Sequence, residues 1–318
     1  MKKNKYKYFI YIYFMEENKN TIKHLVISGG GTYGLSAYGV LRELHKNGFW
    51  SLSNIQSCHG TSIGTAIIII ILCKYEWETI DDFIIKRPWN NVFKFDINKC
   101  LDAFDKCGLY DKTVMIDAFK PILLGADIDL TITMKEFYEK TKVEFYIYTV
   151  ELNSFELECI SYKTHPDMQV IDACYMSCSL PLIFKPLTIE NKTYVDGGIF
   201  LNYPILECLN TMDAEPNEIL GIRKKIIDVI PTPEFVQSFN LFEYIMHLFR
   251  NMMAKVNNEN NKNKNKDATK EFVNEININM ECMNIDSITK FVVSEQYRKE
   301  LIEIGVKEAT SFLANKDK

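Results

Sequence analysis

The chain has 318 residues, 47% hydrophobic and 25% charged, with 14 Gly and 9 Pro; that is an ordinary folded composition with length for a sizeable core, and it excludes a fibre, a disordered chain and a small disulfide-stapled scaffold. The 37 Lys and Arg against 42 Asp and Glu leave a net charge of -5, so the basic field that dominates polymer-backbone binding is missing and no nucleic-acid partner is expected. The nine cysteines are odd in number and contain no Cys-x-x-Cys pair, which reads as reduced thiols of a cytoplasmic protein rather than a disulfide framework or a zinc knuckle.

At the N-terminus, Lys2 and Lys3 precede the apolar run Tyr6 to Phe14 in the order of a signal peptide, but no small-residue cleavage site follows and the run meets Glu16, Glu17 and Asn18. Residues 1–20 are expected to be an extension that is disordered or lies in a membrane interface, with Met15 a second candidate start. The apolar runs Phe9 to Met15 and Ala66 to Cys73 are shorter than the roughly 18 to 20 residues that span a bilayer, so any membrane association is expected to be peripheral.

Lys23 to Ile27 is a short strand-like run ending in Ser28-Gly29-Gly30-Gly31, after which Ala37, Val40, Leu41 and Leu44 recur at helical spacing and Gly48 offers a stop. A second unit follows: Asn54 to His59 as a strand, Gly60 to Gly64 as a tight turn, and Thr65 to Tyr75 as an apolar segment. Ile67 to Ile71 prefer strands by propensity, so a helix there rests on tertiary context and not on local preference. Val143 to Leu152 with Phe155 to Tyr162, and Leu187 to Glu190 with Thr193 to Asp196, read as hairpins around Asn153-Ser154 and Asn191-Lys192. Phe239 to Phe249 carries apolar residues near helical spacing, and a core helix is expected there ahead of a face resting on lipid. Asn257 to Asp267 consists only of Asn, Lys, Glu and Asp and is expected to be a flexible loop without function. Ile285 to Leu313 resumes helical patterning and should dock back on the domain. Strand and helix alternating early, then hairpins, predict an α/β fold with a mixed sheet covered by helices.

Three constellations carry chemistry. Gly29-Gly30-Gly31-Thr32-Tyr33-Gly34 fits Gly-x-Gly-x-x-Gly and suits a dinucleotide cradle, an oxyanion hole or a plain turn; Trp50 to Ile55, about 20 positions on, contain no carboxylate to hold a ribose. Gly60-Thr61-Ser62-Ile63-Gly64 is Gly-x-Ser-x-Gly, in which flanking glycines relieve crowding at a turn that lifts a strained serine to its apex. None of His24, His45, His59, His165 and His247 is well placed as its base: His59 lies back down the strand and His247 falls in a helical stretch. Tyr194-Val195-Asp196-Gly197-Gly198 closes a strand in a glycine turn and alone is only a turn signal.

Taken together and in this order, the three resemble the patatin-like phospholipase family. The resemblance extends to Ser177-Cys178-Ser179-Leu180-Pro181 with Phe184 and Pro186, and to Asn202 and Pro204, covering about Thr21 to Pro204. It implies a three-layer sandwich with a mixed, mostly parallel central sheet, a catalytic domain over 21–205, and 206–318 as the C-terminal part of the same domain. It further implies Ser62 as nucleophile, Asp196 as proton acceptor, and Gly29, Gly30 and Gly31 as oxyanion hole, with Gly34, Gly60, Gly64, Gly197 and Gly198 shaping the motifs. The implied reaction is hydrolysis of fatty acyl esters of phospholipids, lysophospholipids or glycerolipids, with no metal or cofactor. One departure stands out: Tyr33 occupies the place where the family usually carries Arg or Lys, which puts preference for an anionic head group in doubt more than ester chemistry. The competing expectations are a lipid acyltransferase, a catalytically weak or inactive lipid-binding regulator, and a nucleotide-binding protein.

Overall fold

A computed structural model describes residues 21–94, 103, 105–226, 241–264, 271–280 and 285–316; the N-terminal extension lies outside them. The first apolar run forms β1 (His24–Ile27), buried along its length, and the glycine loop leads into α1 (Gly34–Lys46). The next strand, β2 (Ser57–Thr61), sits later than the sequence pattern indicates, because Leu52–Asn54 forms a short 3-10 turn and the apolar–glycine stretch up to Thr61 stays extended. Strands buried on both faces belong in a parallel sheet, and β1 and β2 pair in parallel. The isoleucine run forms α2 (Ile63–Leu72), with Ile67 to Ile71 all buried; burial overrides their strand propensity. The helix α3 (Trp77–Lys86) follows.

After a short strand β3 (Gly108–Tyr110), α4 (Lys112–Gly125) and α5 (Met134–Thr141) lead back to the main sheet. Both predicted hairpins form: β4 (Glu144–Glu151) with β5 (Glu156–Ile160), and, after α6 (Val170–Cys178) and β6 (Leu182–Phe184), β7 (Leu187–Ile189) with β8 (Lys192–Asp196). Downstream come α7 (Ile205–Met212), β9 (Ile219–Ile226), α8 (Leu241–Lys264), β10 (Glu275–Met280), α9 (Ile285–Val293) and α10 (Glu295–Lys316). The sheet runs β10-β9-β1-β2-β4-β8-β7, parallel from β10 to β4, with β5 paired to β4 and β3 with β6 forming a separate ribbon.

Side-chain alternation splits the strands between two helical layers. Leu25 and Ile27 join the main core with α1 and α2, while Val26 faces Ile205, Leu206 and Cys208 of α7. The resulting three-layer sandwich has a mixed, mostly parallel central sheet. The C-terminal helical region docks back as expected: the Ser36 hydroxyl of α1 donates to the Leu301 carbonyl of α10 at 2.6 Å.

Two expectations change. Asn257 to Lys264, read as loop, continue α8; the run contains no Gly or Pro, so a helix nucleated upstream propagates through it, and residues 265–267 lie outside the described residues. The stripe expected to be a core helix is only half buried: Met246 is covered and Phe249 packs inward, but Ile245 is exposed, while Phe239 and the side chains of Leu241 and Phe242 are outside the description. No helix among the described residues is long and apolar enough to cross a membrane.

Candidate active site

The register of β4 brings two distant chain segments together. Along one edge, β2 pairs with β4 up to Thr61 opposite Tyr148. Because β5 occupies the other edge, β8 takes up the same edge immediately beyond, with Asp196 opposite Thr149. Ser62, the residue after β2, and Asp196, the last of β8, therefore meet: the Ser62 hydroxyl donates to Asp196 Oδ2 at 2.7 Å.

Ser62 sits at the sharp turn between β2 and α2 with φ 52° and ψ -128°, a conformation that a side chain adopts only when its surroundings enforce it. Two contacts enforce it here. The Ser62 N–H donates to the Ser177 hydroxyl oxygen at 2.9 Å, and that hydroxyl donates to the Tyr148 carbonyl at 2.6 Å. Gly64 presses α2 against the end of β1, so closely that a Cβ there would lie 2.3 Å from the Ile27 carbonyl oxygen. Ser177→Ala leaves the Ser62 N–H without its partner in a partly buried turn, and is expected to destabilise the fold by about 1 to 2 kcal/mol, read as a lower urea midpoint at unchanged slope.

Asp196 is buried, and its second oxygen, Oδ1, accepts the Gly198 N–H at 2.7 Å. Burial pushes its carboxyl up to about 6, against the downward pull of the hydrogen bonds from Ser62 and Gly198. The neighbouring Cys178 thiol is held protonated by its hydrogen bond to Cys174 and by burial.

The glycine loop lies against this pair, a Cβ on Gly29 being 3.1 Å from the Ser62 Cβ. The three glycines are not equivalent. The Gly29 N–H is engaged by the Asn202 carbonyl at 2.9 Å, and Asn202 Nδ2 returns a bond to the Gly29 carbonyl at 3.2 Å. Gly31, with φ +63°, starts the 3-10 turn that runs into α1 at Gly34, so the loop sits at the positive end of a helix.

Tyr33, the departure from the family pattern, is fully buried in the main core. The cation beside the loop comes instead from β9: the stem of Lys224 packs on Gly30, its backbone N–H donates to the Ser28 hydroxyl oxygen at 2.9 Å, and its ammonium reaches the Gly30 carbonyl at 3.4 Å. A second unforeseen contributor is Asn257 of α8. Its Nδ2 donates to the Gly198 carbonyl at 2.9 Å, and its Oδ1 accepts the Asn202 N–H at 2.7 Å.

Neither Ser62 nor Asp196 hydrogen-bonds a histidine among the described residues. His59 is stacked on Tyr146 in the interior, with ring centroids 4.5 Å apart, and burial pushes its imidazole down to about 3, so it stays neutral. His24 bonds Ser57, His165 faces Glu158 and His247 bonds Asn251. No three His, Cys, Asp or Glu side chains converge as a metal site among the described residues.

A serine on a strained turn bonded to a buried aspartate, beside a glycine loop, is the arrangement that the motif order anticipates. The family model for patatin-like phospholipases matches residues 25–209. The chain belongs to the patatin-like phospholipase family. This patatin-like protein is 27% identical over 185 residues to the protein named Probable lipid hydrolase 463L of Invertebrate iridescent virus 6, a match covering 58% of this chain and 62% of that protein. It is 28% identical over 205 residues to the uncharacterized protein R571 of Acanthamoeba polyphaga mimivirus, covering 64% of this chain and 66% of that one. In both cases the match spans less than two thirds of the relative's own length. Among solved structures, VipD from Legionella pneumophila has the same fold, with a TM-score of 0.52 at 16% identity over 92% of this chain and 67% of that one.

Proposed function

We propose that this patatin-like protein hydrolyses fatty acyl esters of lipids through an acyl-enzyme on Ser62. The observation that carries the reading is the 2.7 Å hydrogen bond from the Ser62 hydroxyl to a buried Asp196 with no histidine between them. As the hydroxyl attacks the acyl carbonyl, Asp196 takes its proton. The oxyanion of the tetrahedral intermediate is received by the N–H groups of Gly30 and Gly31, since that of Gly29 is already engaged by Asn202. Collapse breaks the ester C–O bond, and the leaving alcohol takes the proton from Asp196. Water then attacks the acyl-enzyme, Asp196 accepts its proton, and the fatty acid leaves as Ser62 is restored. The base is poised for neutral pH, because a carboxyl at about 6 is ionised at pH 7 yet more basic than an exposed aspartate. None of these steps calls on a metal or a cofactor.

The substrate class is phospholipid, lysophospholipid or glycerolipid, met at a peripheral membrane surface by a cytoplasmic protein. Residues 21–205 form the catalytic part, and 206–318 complete the same domain by supplying β9, β10 and α10. The test is fatty-acid release by the purified protein from vesicles of mixed phospholipid and neutral lipid, together with labelling by a fluorophosphonate. Release and labelling are expected; a folded protein that does neither removes the proposal in favour of the binding-only reading.

Lys224 bears on head-group choice. With Tyr33 buried, its ammonium places a positive charge beside the glycine loop. Lys224→Met is expected to lower kcat/KM for phosphatidylglycerol by roughly three- to tenfold relative to diacylglycerol, the effect of one partly exposed charge contact. Equal loss on both lipids would assign Lys224 to loop geometry instead.

A further inference from the structure

We propose that α8, with the tip of the β4–β5 hairpin, forms the surface through which the protein docks on a bilayer containing anionic phospholipid; the identity of this occupant rests on the lipid-ester reading above. The helix carries more apolar face than its seat on the domain uses. Phe249 and Met253 pack inward with Val150, Val195 and Ile199, and Met246 is buried. Yet Tyr244, Ile245, Leu248 and Met252 also fall on one side and are exposed, Leu248 by 48% and Met252 by 58%. At about 100° of rotation per residue, the combined apolar arc is roughly twice the width that burial of one stripe requires.

A further exposed aromatic adjoins the cluster on which the helix is seated. Phe200 packs on the Val150 and Ile199 cluster that also holds Phe249, and Phe155 meets Phe200 edge-on with ring centroids 4.9 Å apart. Phe155 lies between β4 and β5 with φ 58° and is 54% exposed. A bulky apolar residue gains nothing from a left-handed turn position in water, where Gly or Asn fits without strain, and strain of this kind marks functional positions. Exposed apolar side chains grouped on one side of a helix and at a neighbouring hairpin tip mark an interaction site.

Two observations select a bilayer as the occupant. Between Tyr244 and Val256 the chain carries two basic residues, Arg250 and the exposed Lys255, and no carboxylate, which suits an anionic head-group layer around an apolar insertion. The inner side of the same helix reaches the site itself: Met253 Cε lies 3.4 Å from a Cβ added at Gly198, and Asn257 ties the Gly198 carbonyl to the Asn202 N–H. Gly198 is also the residue whose N–H holds Asp196. A lipid layer touching the outer face is therefore one helix away from the Ser62–Asp196 pair.

The test compares the full chain with a triple variant, Ile245→Glu, Leu248→Glu and Met252→Glu, and with Val293→Glu, which alters an exposed apolar residue of α9. Circular dichroism and melting temperature establish that the variants fold. Flotation with vesicles of phosphatidylcholine and phosphatidylglycerol reads docking, and hydrolysis of p-nitrophenyl butyrate and of the vesicle lipid reads activity. The triple variant is expected to lose vesicle binding and vesicle-lipid hydrolysis by about tenfold or more while hydrolysing the soluble ester within about twofold of the parent, and Val293→Glu is expected to change none of these. Vesicle binding unchanged in the triple variant overturns the proposal. So does a parent protein that ignores vesicles and forms a dimer that the triple variant dissociates, which makes the face a self-association surface. A parent that binds vesicles through this face but cleaves no ester leaves the docking surface standing and removes the hydrolase reading instead; a parent that cleaves the soluble ester without binding vesicles does the reverse.

Discussion

Ser62→Ala is expected to abolish fluorophosphonate labelling and to lower fatty-acid release by about 10³ to 10⁶-fold, the range seen when an enzyme loses its nucleophile. The substitution removes one oxygen and leaves the rest of the turn in place. The Ser62 N–H keeps its bond to Ser177, the backbone stays in its positive-φ conformation, and Gly64 still seats α2 on β1. The fold should therefore persist, with a melting temperature within a few degrees of the parent. Ser62→Gly separates the two roles of this position. It also lacks the nucleophile, but glycine adopts the same φ freely, so it should relieve strain of about 1 kcal/mol and melt higher than the alanine variant. Full activity in Ser62→Ala would place the nucleophile elsewhere, and the adjoining Cys178 would be the first side chain to test. Its protonated, buried state argues against that role.

Much of this arrangement is legible in the amino-acid order, but not all of it by the same means. β1, β2 and both hairpins follow from short apolar runs broken by Asn, Ser and Gly, while β3, β6, β9 and β10 are not anticipated. The serine turn follows from the glycines that its crowding demands. The partner of Ser62 does not follow from local pattern at all: Asp196 is 134 residues away, and only the resemblance joins the two before the register of β4 explains why they meet. Ser177 and Asn202 lie in stretches that the resemblance covers, but no pattern tells which distant backbone atoms they act on, and Asn257 leaves no motif at all. Asn257 falls in a segment whose polar composition correctly indicates that it buries little, yet composition is silent on helix propagation, which carries that side chain to Gly198. In the glycine loop, three identical residues in a row hide a division of labour that becomes visible only when the Asn202 carbonyl is seen to engage Gly29.

Asp196→Asn is expected to move activity and stability in opposite directions. In the proposed mechanism Asp196 accepts the proton and must be ionised, so kcat/KM of the parent should rise with pH through about 6 and level off above it. Replacing the carboxylate by an amide removes the base, lowers the rate by about 10³ to 10⁴-fold and abolishes that rising limb. Stability follows from the same shift with its sign worked out. A carboxyl raised from 3.8 in the unfolded chain to about 6 in the native site binds its proton more tightly when folded. Between those values the native state holds more protons than the unfolded one, so this group's contribution to stability falls as pH rises, reaching a cost of about 3 kcal/mol at pH 7. The asparagine variant does not ionise, and should gain up to that amount at pH 7, with the gain vanishing below about pH 4. Urea titrations of both proteins at pH 4, 5.5 and 7 read the difference directly. A variant that is inactive but equally destabilised at all three values would show that Asp196 holds the turn through Ser62 and Gly198 without the burial cost that makes it a base. A variant that keeps the parent's rate and its rising limb would remove Asp196 from the reaction altogether.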